Sequence, residues 1–227
     1  DLEDVTVQEC DNTGVFNPCY AGTWTNMEQA TVCQVLDDLS QIIAPGQGGM
    51  FINILISKET LDAGTLGVGT PEYAAVDCGI TNSTMISVLN GGADNYPAGF
   101  LHGTLRISDN YFWHTLAEDG TNGGNFNDPD IGSGKYDLYS VALHEMLHVL
   151  GFASRITEDG TAISGDIYSR WDSYLYSGVA NEFLLENIED GDCCDAQQFN
   201  ASVDISGGTF GGSCADMVGF RADGMDI

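Results

Sequence analysis

YDLYSVALHEMLHVLG, residues 136–151, carries Leu138, Val141, Ala142, Met146, Val149 and Leu150 at helical spacing. One side of a helix over 136–150 is therefore apolar, and Gly151 stands where a helix C′ glycine is expected. Inside that helix His144-Glu145-Met146-Leu147-His148 is an H-E-x-x-H. Two histidines four apart share one helical face, so both imidazoles can reach one Zn²⁺ at roughly 2.0–2.1 Å. Glu145 projects beside them, turned too far round to be a third ligand and placed to take a proton from a metal-activated water. The plainer reading of the same residues is a solvated helix face. Half of the four histidines fall in this one motif, on a helix that is otherwise apolar, and that favours the metal.

Outward from the helix, 227 residues suit one generous domain or two lobes sharing a cleft. Hydrophobic residues at 43% against 18% charged provide for a real core. The 34 acidic and 6 basic side chains leave a net charge of −28, which repels nucleic acid and anionic lipid. No apolar run approaches the roughly 18–20 residues of a membrane span. Seven cysteines (10, 19, 33, 78, 193, 194 and 214) without any C-x-x-C pair fit a disulfide-stapled, secreted protein better than a zinc ribbon. An odd number leaves at least one thiol outside any pairing within the chain. The start at Asp1, without Met or leader, reads as a mature or trimmed form.

Residues 1–23, with Cys10 and Cys19 around D-N-T-G-V-F-N-P, read as an irregular cross-linked opening. A helix is expected from a Thr25 or Asn26 cap, with Val32, Val35, Leu36, Leu39, Ile42 and Ile43 on its apolar face and Pro45-Gly46 beyond its end. Met50–Ser57 reads as a buried strand, and shorter strands are expected near Tyr73–Val76, Met85–Leu89 and Leu101–Ser108. The Asn/Asp/Gly-rich stretch 119–134 is a surface loop or, from its hard oxygen donors, a Ca²⁺ site, although its spacing is not that of an EF-hand. After Gly151 the chain is Gly- and Asp-rich, with one short helical candidate at Tyr168–Tyr176. The order predicts an α+β fold.

The run His144-Glu-Met-Leu-His-Val-Leu-Gly151-Phe152 resembles the zinc-binding helix of metzincin-type metalloproteases, and of the leishmanolysin branch in particular. The resemblance implies a zincin-like fold: a twisted mixed sheet, a backing helix and the active-site helix in a lobe over 1–151, and an irregular lobe over 152–227 across a cleft. It also implies a secreted zinc endopeptidase with His144 and His148 as metal ligands, Glu145 as catalytic base and polypeptide as substrate. In the common pattern the third ligand falls three residues after the glycine, where this chain has Ser154, and no His follows His148. The leishmanolysin-like enzymes allow a distant ligand, and the expected one here is Asp172, flanked by aromatics in Y-S-R-W-D-S-Y-L. Asp166, Glu182 and Glu186 are alternatives, as is a structural Asp172 that pairs with Arg170 or caps a helix.

For the methionine turn of the family the candidates are Met217 and Met225. Tyr168, Tyr174 and Tyr176 are weaker candidates to steady an oxyanion, and His102 and His114 read as structural or solvent-facing. Cys78 faintly resembles a zinc-blocking cysteine but fits a disulfide better. Extended peptide is expected to add a strand along Leu101–Ser108 as the sheet edge. A rival class is a calcium-stabilised extracellular binding or adhesion module whose H-E-x-x-H is structural or vestigial.

Overall fold

The computed structural model describes residues 14–43, 51–75, 79–90, 100–116, 131–155, 167–174, 176–177 and 182–183. The chain divides into two compact units, one of Asp1–Glu72 with Thr84–Leu150 and one of Tyr73–Ser83 with Gly151–Ile227.

The first unit is built on a mixed four-stranded sheet in the order β1 (Phe16–Ala21), β2 (Ile52–Glu59), β5 (Gly103–Ser108), β3 (Gly67–Pro71). β1 and β5 flank β2 in parallel, and β3 runs antiparallel to β5. Register puts Phe16, Ile52, Ile54, Ile56, Leu105, Ile107, Gly67 and Gly69 on one face, because paired residues point the same way and alternate residues share a side. All six of the large side chains in that set are buried. Asn17, Asn53 and Arg106 occupy the other face, which gives the alternation of a sheet with one covered side.

Helices α1 (Asn26–Ile42) and α3 (Leu138–Val149) cover the apolar face. α1 starts at a capping box in which Thr25 Oγ accepts from Glu28 N–H and the Glu28 carboxylate accepts from Thr25 N–H. Lys58 of β2 then pairs with Glu28 at 2.7 Å, tying the capped end to the sheet. Val32, Val35, Leu36 and Leu39 enter the core as expected, but Ile42 is 79% exposed, because the last turn runs past the end of the sheet-facing stripe. The two helices meet where Tyr139 Oη donates to Asp38 at 2.6 Å.

Three local expectations are corrected. Residues 16–21 are a strand, with Pro18 tolerated because β1, among the described residues, is an edge that pairs with β2 alone. Residues Thr84–Leu89 are a short helix, α2, rather than a strand; Met85 and Val88, three apart, are both buried, and an apolar run this short has no decisive period. Tyr73 makes a single bridge to Ser83, and no strand is described there.

In the second unit β4 (Gly79–Thr81) pairs in parallel with β8 (Ile167–Ser169), and a short 3₁₀ turn follows at Asp172–Tyr174. A helix over 168–176 is therefore replaced by strand and turn. Strands β6 (Phe112–His114) and β7 (Lys135–Asp137) of the first unit pair in parallel, and β9 (Tyr176–Ser177) pairs with β10 (Glu182–Phe183) in the second. Among the described residues no helix is long and apolar enough to cross a membrane.

A candidate metal centre on the third helix

α3 begins at Asp137, whose side chain caps Ser140 N–H, and ends at Gly151 with φ +102°, a left-handed conformation that glycine adopts without strain. Leu138, Ala142, Met146 and Val149 are fully buried, and these anchors fix the rotation of the helix. The two histidines are consequently half-buried at the margin of the core, while Glu145 is only 5% exposed.

His144 Nε2 and His148 Nε2 stand 3.0 Å apart, with the rings perpendicular and their centroids 4.7 Å apart. Nitrogens each bound to one tetrahedral Zn²⁺ would be about 3.3 Å apart, from bond lengths near 2.05 Å. The pair therefore fits two corners of such a site. Among the described residues no group of three or more His, Cys, Asp and Glu side chains gathers as a metal site, so the described donor set is two nitrogens.

Glu145 is held from the sheet. Its Oε2 accepts the N–H of Gly69 at 2.5 Å, a short charge-assisted bond. In the β3–β5 ladder Ser108 N–H donates to Leu66 O and Glu72 N–H to His102 O. The bonded positions of β3 are therefore the even ones, and residues 67, 69 and 71 turn their polar groups away from β5. That outward N–H of Gly69 is the one Glu145 takes.

Three glycines let α3 come this close. A Cβ on Gly69 would lie 2.0 Å from Glu145 O and 3.0 Å from His148 Cβ; one on Gly67 would lie 2.8 Å from Glu145 Cγ, and one on Gly103 2.6 Å from Val149 Cγ1. Sequence reasoning missed Gly67 and Gly69. The available signal was G-V-G at 67–69, glycines at the strand period, which mark close backbone approach.

The strand expected to be the sheet edge is an interior one. β5, within Leu101–Ser108, lies between β2 and β3, and among the described strands the edge beside α3 is β3.

Asp172 belongs to the second unit and is fully buried. Its Oδ1 accepts Ser154 Oγ–H at 2.5 Å, and its Oδ2 accepts the N–H groups of Arg155 at 3.0 Å and Ser169 at 2.7 Å. Ser169 Oγ in turn accepts Asp172 N–H at 3.1 Å, so S169-R-W-D172 is a reciprocal capping box on the 3₁₀ turn. Burial pushes the Asp172 carboxyl above its ordinary pKa, and its hydrogen bonds from Ser154, from Arg155 N–H and from the backbone and side chain of Ser169 oppose that shift. Ser154, three residues after Gly151, is bound to Asp172 itself.

His102 is buried and its Nδ1 accepts Asn53 N–H at 2.9 Å, a structural bond across the sheet; His114 is buried too, as is Tyr168. Cys33 is disulfide-bonded, whereas Cys19 carries a free thiol. Asp166, Glu186, Met217, Met225, Cys78, the stretch 119–130 and the side chains of Tyr174, Tyr176 and Glu182 lie outside the described residues. Comparisons of the chain with protein-family models, with curated proteins and with solved structures returned no match.

Proposed function

We propose that the chain is a secreted zinc endopeptidase of zincin-like fold, in which His144 and His148 hold Zn²⁺ and Glu145 is the general base. The convergence of the two Nε2 atoms at 3.0 Å carries this reading. The third ligand in the proposal is a carboxylate supplied after Gly151. Asp172 stands first in the sequence reading, and its carboxylate already accepts from Ser154 Oγ–H, from Arg155 N–H and from both the backbone and the side chain of Ser169. Asp166, Glu182 and Glu186 stand behind it. Secretion is supported by the disulfide at Cys33, since such bonds persist in oxidising compartments.

Zn²⁺ held by His144 and His148 would supply Lewis acidity to activate a water and to polarise the scissile carbonyl. Glu145 takes the proton of the attacking water and hands it to the departing amine nitrogen. Gly69 N–H fixes Oε2 and so the plane of the carboxylate, which keeps the base from swinging away between the two transfers. The polypeptide would lie along β3, where the N–H of Gly67 and the carbonyls of Gly67, Gly69 and Pro71 turn outward.

The experiment is hydrolysis of an unfolded protein by the zinc-loaded chain and by its Glu145→Gln variant. The native chain is expected to cleave, and the variant to lose at least about a hundredfold in rate, the usual contribution of a positioned base. Equal cleavage by both chains removes Glu145 from the mechanism.

A further inference from the structure

Arg155 follows Gly151 by four positions and lies in the second unit. Its backbone N–H is used by Asp172, but its guanidinium is not. The guanidinium carbon sits 4.9 Å from the centroid of the Tyr73 ring, and Nε is buried with no hydrogen-bond acceptor among the described residues. Lys58 and Arg106 have carboxylate partners, and Arg170 donates Nε to Asn82. In a chain with 34 acidic side chains, the Arg155 guanidinium has no carboxylate partner among the described residues.

A partly buried guanidinium with a desolvated, unanswered N–H is costly as it stands, and the cost is removed by an acceptor from outside. Its fork of donors matches a carboxylate bidentately, and the ring of Tyr73 holds the flexible stem in place before any ligand arrives. The net charge of −28 disfavours a multiply charged phosphate in favour of a group with one negative charge.

We infer that Arg155, seated on Tyr73, is a binding site for a carboxylate of the polypeptide substrate, either an Asp or Glu side chain or the terminal carboxylate. The inference rests on the endopeptidase reading for the identity of its ligand. It makes the preferred substrate an acidic or acid-terminated peptide.

The test is binding of N-acetylated peptides to the Glu145→Gln chain, which keeps the peptides intact. One set carries Glu or its isostere Gln at successive positions with an amidated end, and a second carries Gln throughout with a free or an amidated end. At least about tenfold tighter binding of a carboxylate-bearing peptide is expected, the size of a charged hydrogen-bonded contact, and the set that shows it identifies the source. In Arg155→Gln the preference should fall to within about twofold, and in Arg155→Lys it should be intermediate, since a point charge replaces the fork. Thermal melts of the variants check folding, and the lysine variant serves if Arg155→Gln does not fold.

No carboxylate preference in the arginine chain, or an undiminished preference in both variants, overturns the inference. Cleavage by the native chain with no acidic preference overturns it while leaving the endopeptidase standing. Arg155-dependent carboxylate binding by a chain that cleaves nothing with Zn²⁺ supplied supports the site and removes the endopeptidase.

Discussion

Gly69→Ala tests whether contact of β3 with α3 holds the centre together. The added Cβ would lie 2.0 Å from the carbonyl oxygen of Glu145, whereas real Cβ atoms do not approach below 3.0 Å, so strand and helix must separate by at least 3.0 − 2.0 = 1.0 Å. The obstacle is helix backbone and cannot rotate aside. Overpacking of this kind costs about 1–3 kcal/mol. The same movement stretches the bond from Gly69 N–H to Glu145 Oε2, now 2.5 Å, to the edge of hydrogen bonding. Loss of a charged bond adds about 1.5–3 kcal/mol. Together these amount to about 3–6 kcal/mol, or about 10–20 °C in melting temperature for a chain of this size. Gly67→Ala meets only the movable Cγ of Glu145 and a methyl of Val141, at 2.8 and 3.1 Å, and should cost about 1–2 kcal/mol. Circular-dichroism melts of the two variants beside the native chain give the comparison. A Gly69→Ala chain that melts within about 2 °C of native, or above Gly67→Ala, refutes the close approach and with it the clamp on Glu145.

Asp172→Asn should alter the pH profile of stability. The folded-state pKa of Asp172 is raised above its ordinary 3.8, so its contribution to stability is fully present below 3.8 and is lost as pH rises through the folded value. The melting temperature of the Asn variant should therefore gain on that of the native chain across that rise; a constant difference contradicts the buried carboxylate. Tyr139→Phe removes the bond to Asp38 between α3 and α1 and should cost about 1–2 kcal/mol by denaturant titration, with an unchanged slope. Thr25→Ala removes half of the capping box of α1 and should cost about 1 kcal/mol by the same titration; no change would show that the Glu28–Lys58 pair alone holds that end.

The parts legible in the sequence are those where period and chemistry agree. The buried stripe of α3, its end at Gly151, the Thr25 cap and the Ile-rich β2 each announce themselves through spacing that one secondary structure alone satisfies. Phe16–Ala21 was hidden because Asn17-Pro18 signals a turn, and only the edge position that spares Pro18 a missing N–H makes it a strand. Met85–Leu89 was hidden because an apolar run of that length fits either period. At the candidate centre the neighbouring placement of the two histidines and Glu145 on one helix follows from a local motif, whereas the Gly69 clamp joins residues 76 apart and rests on register, which no local pattern encodes. Asp172 was read from its aromatic flanks as a ligand. The S-x-x-D spacing from Ser169 carried the capping signal, and it describes what the carboxylate does within its own unit.

Metal content tests the central claim most directly. The native chain and the His144→Ala, His148→Ala and Glu145→Gln variants are loaded with Zn²⁺, dialysed and analysed by plasma mass spectrometry. About one zinc per chain is expected in the native protein and in Glu145→Gln, and little in either histidine variant. Zinc absent from the native chain, or retained equally when both histidines are replaced, contradicts a metal centre on α3.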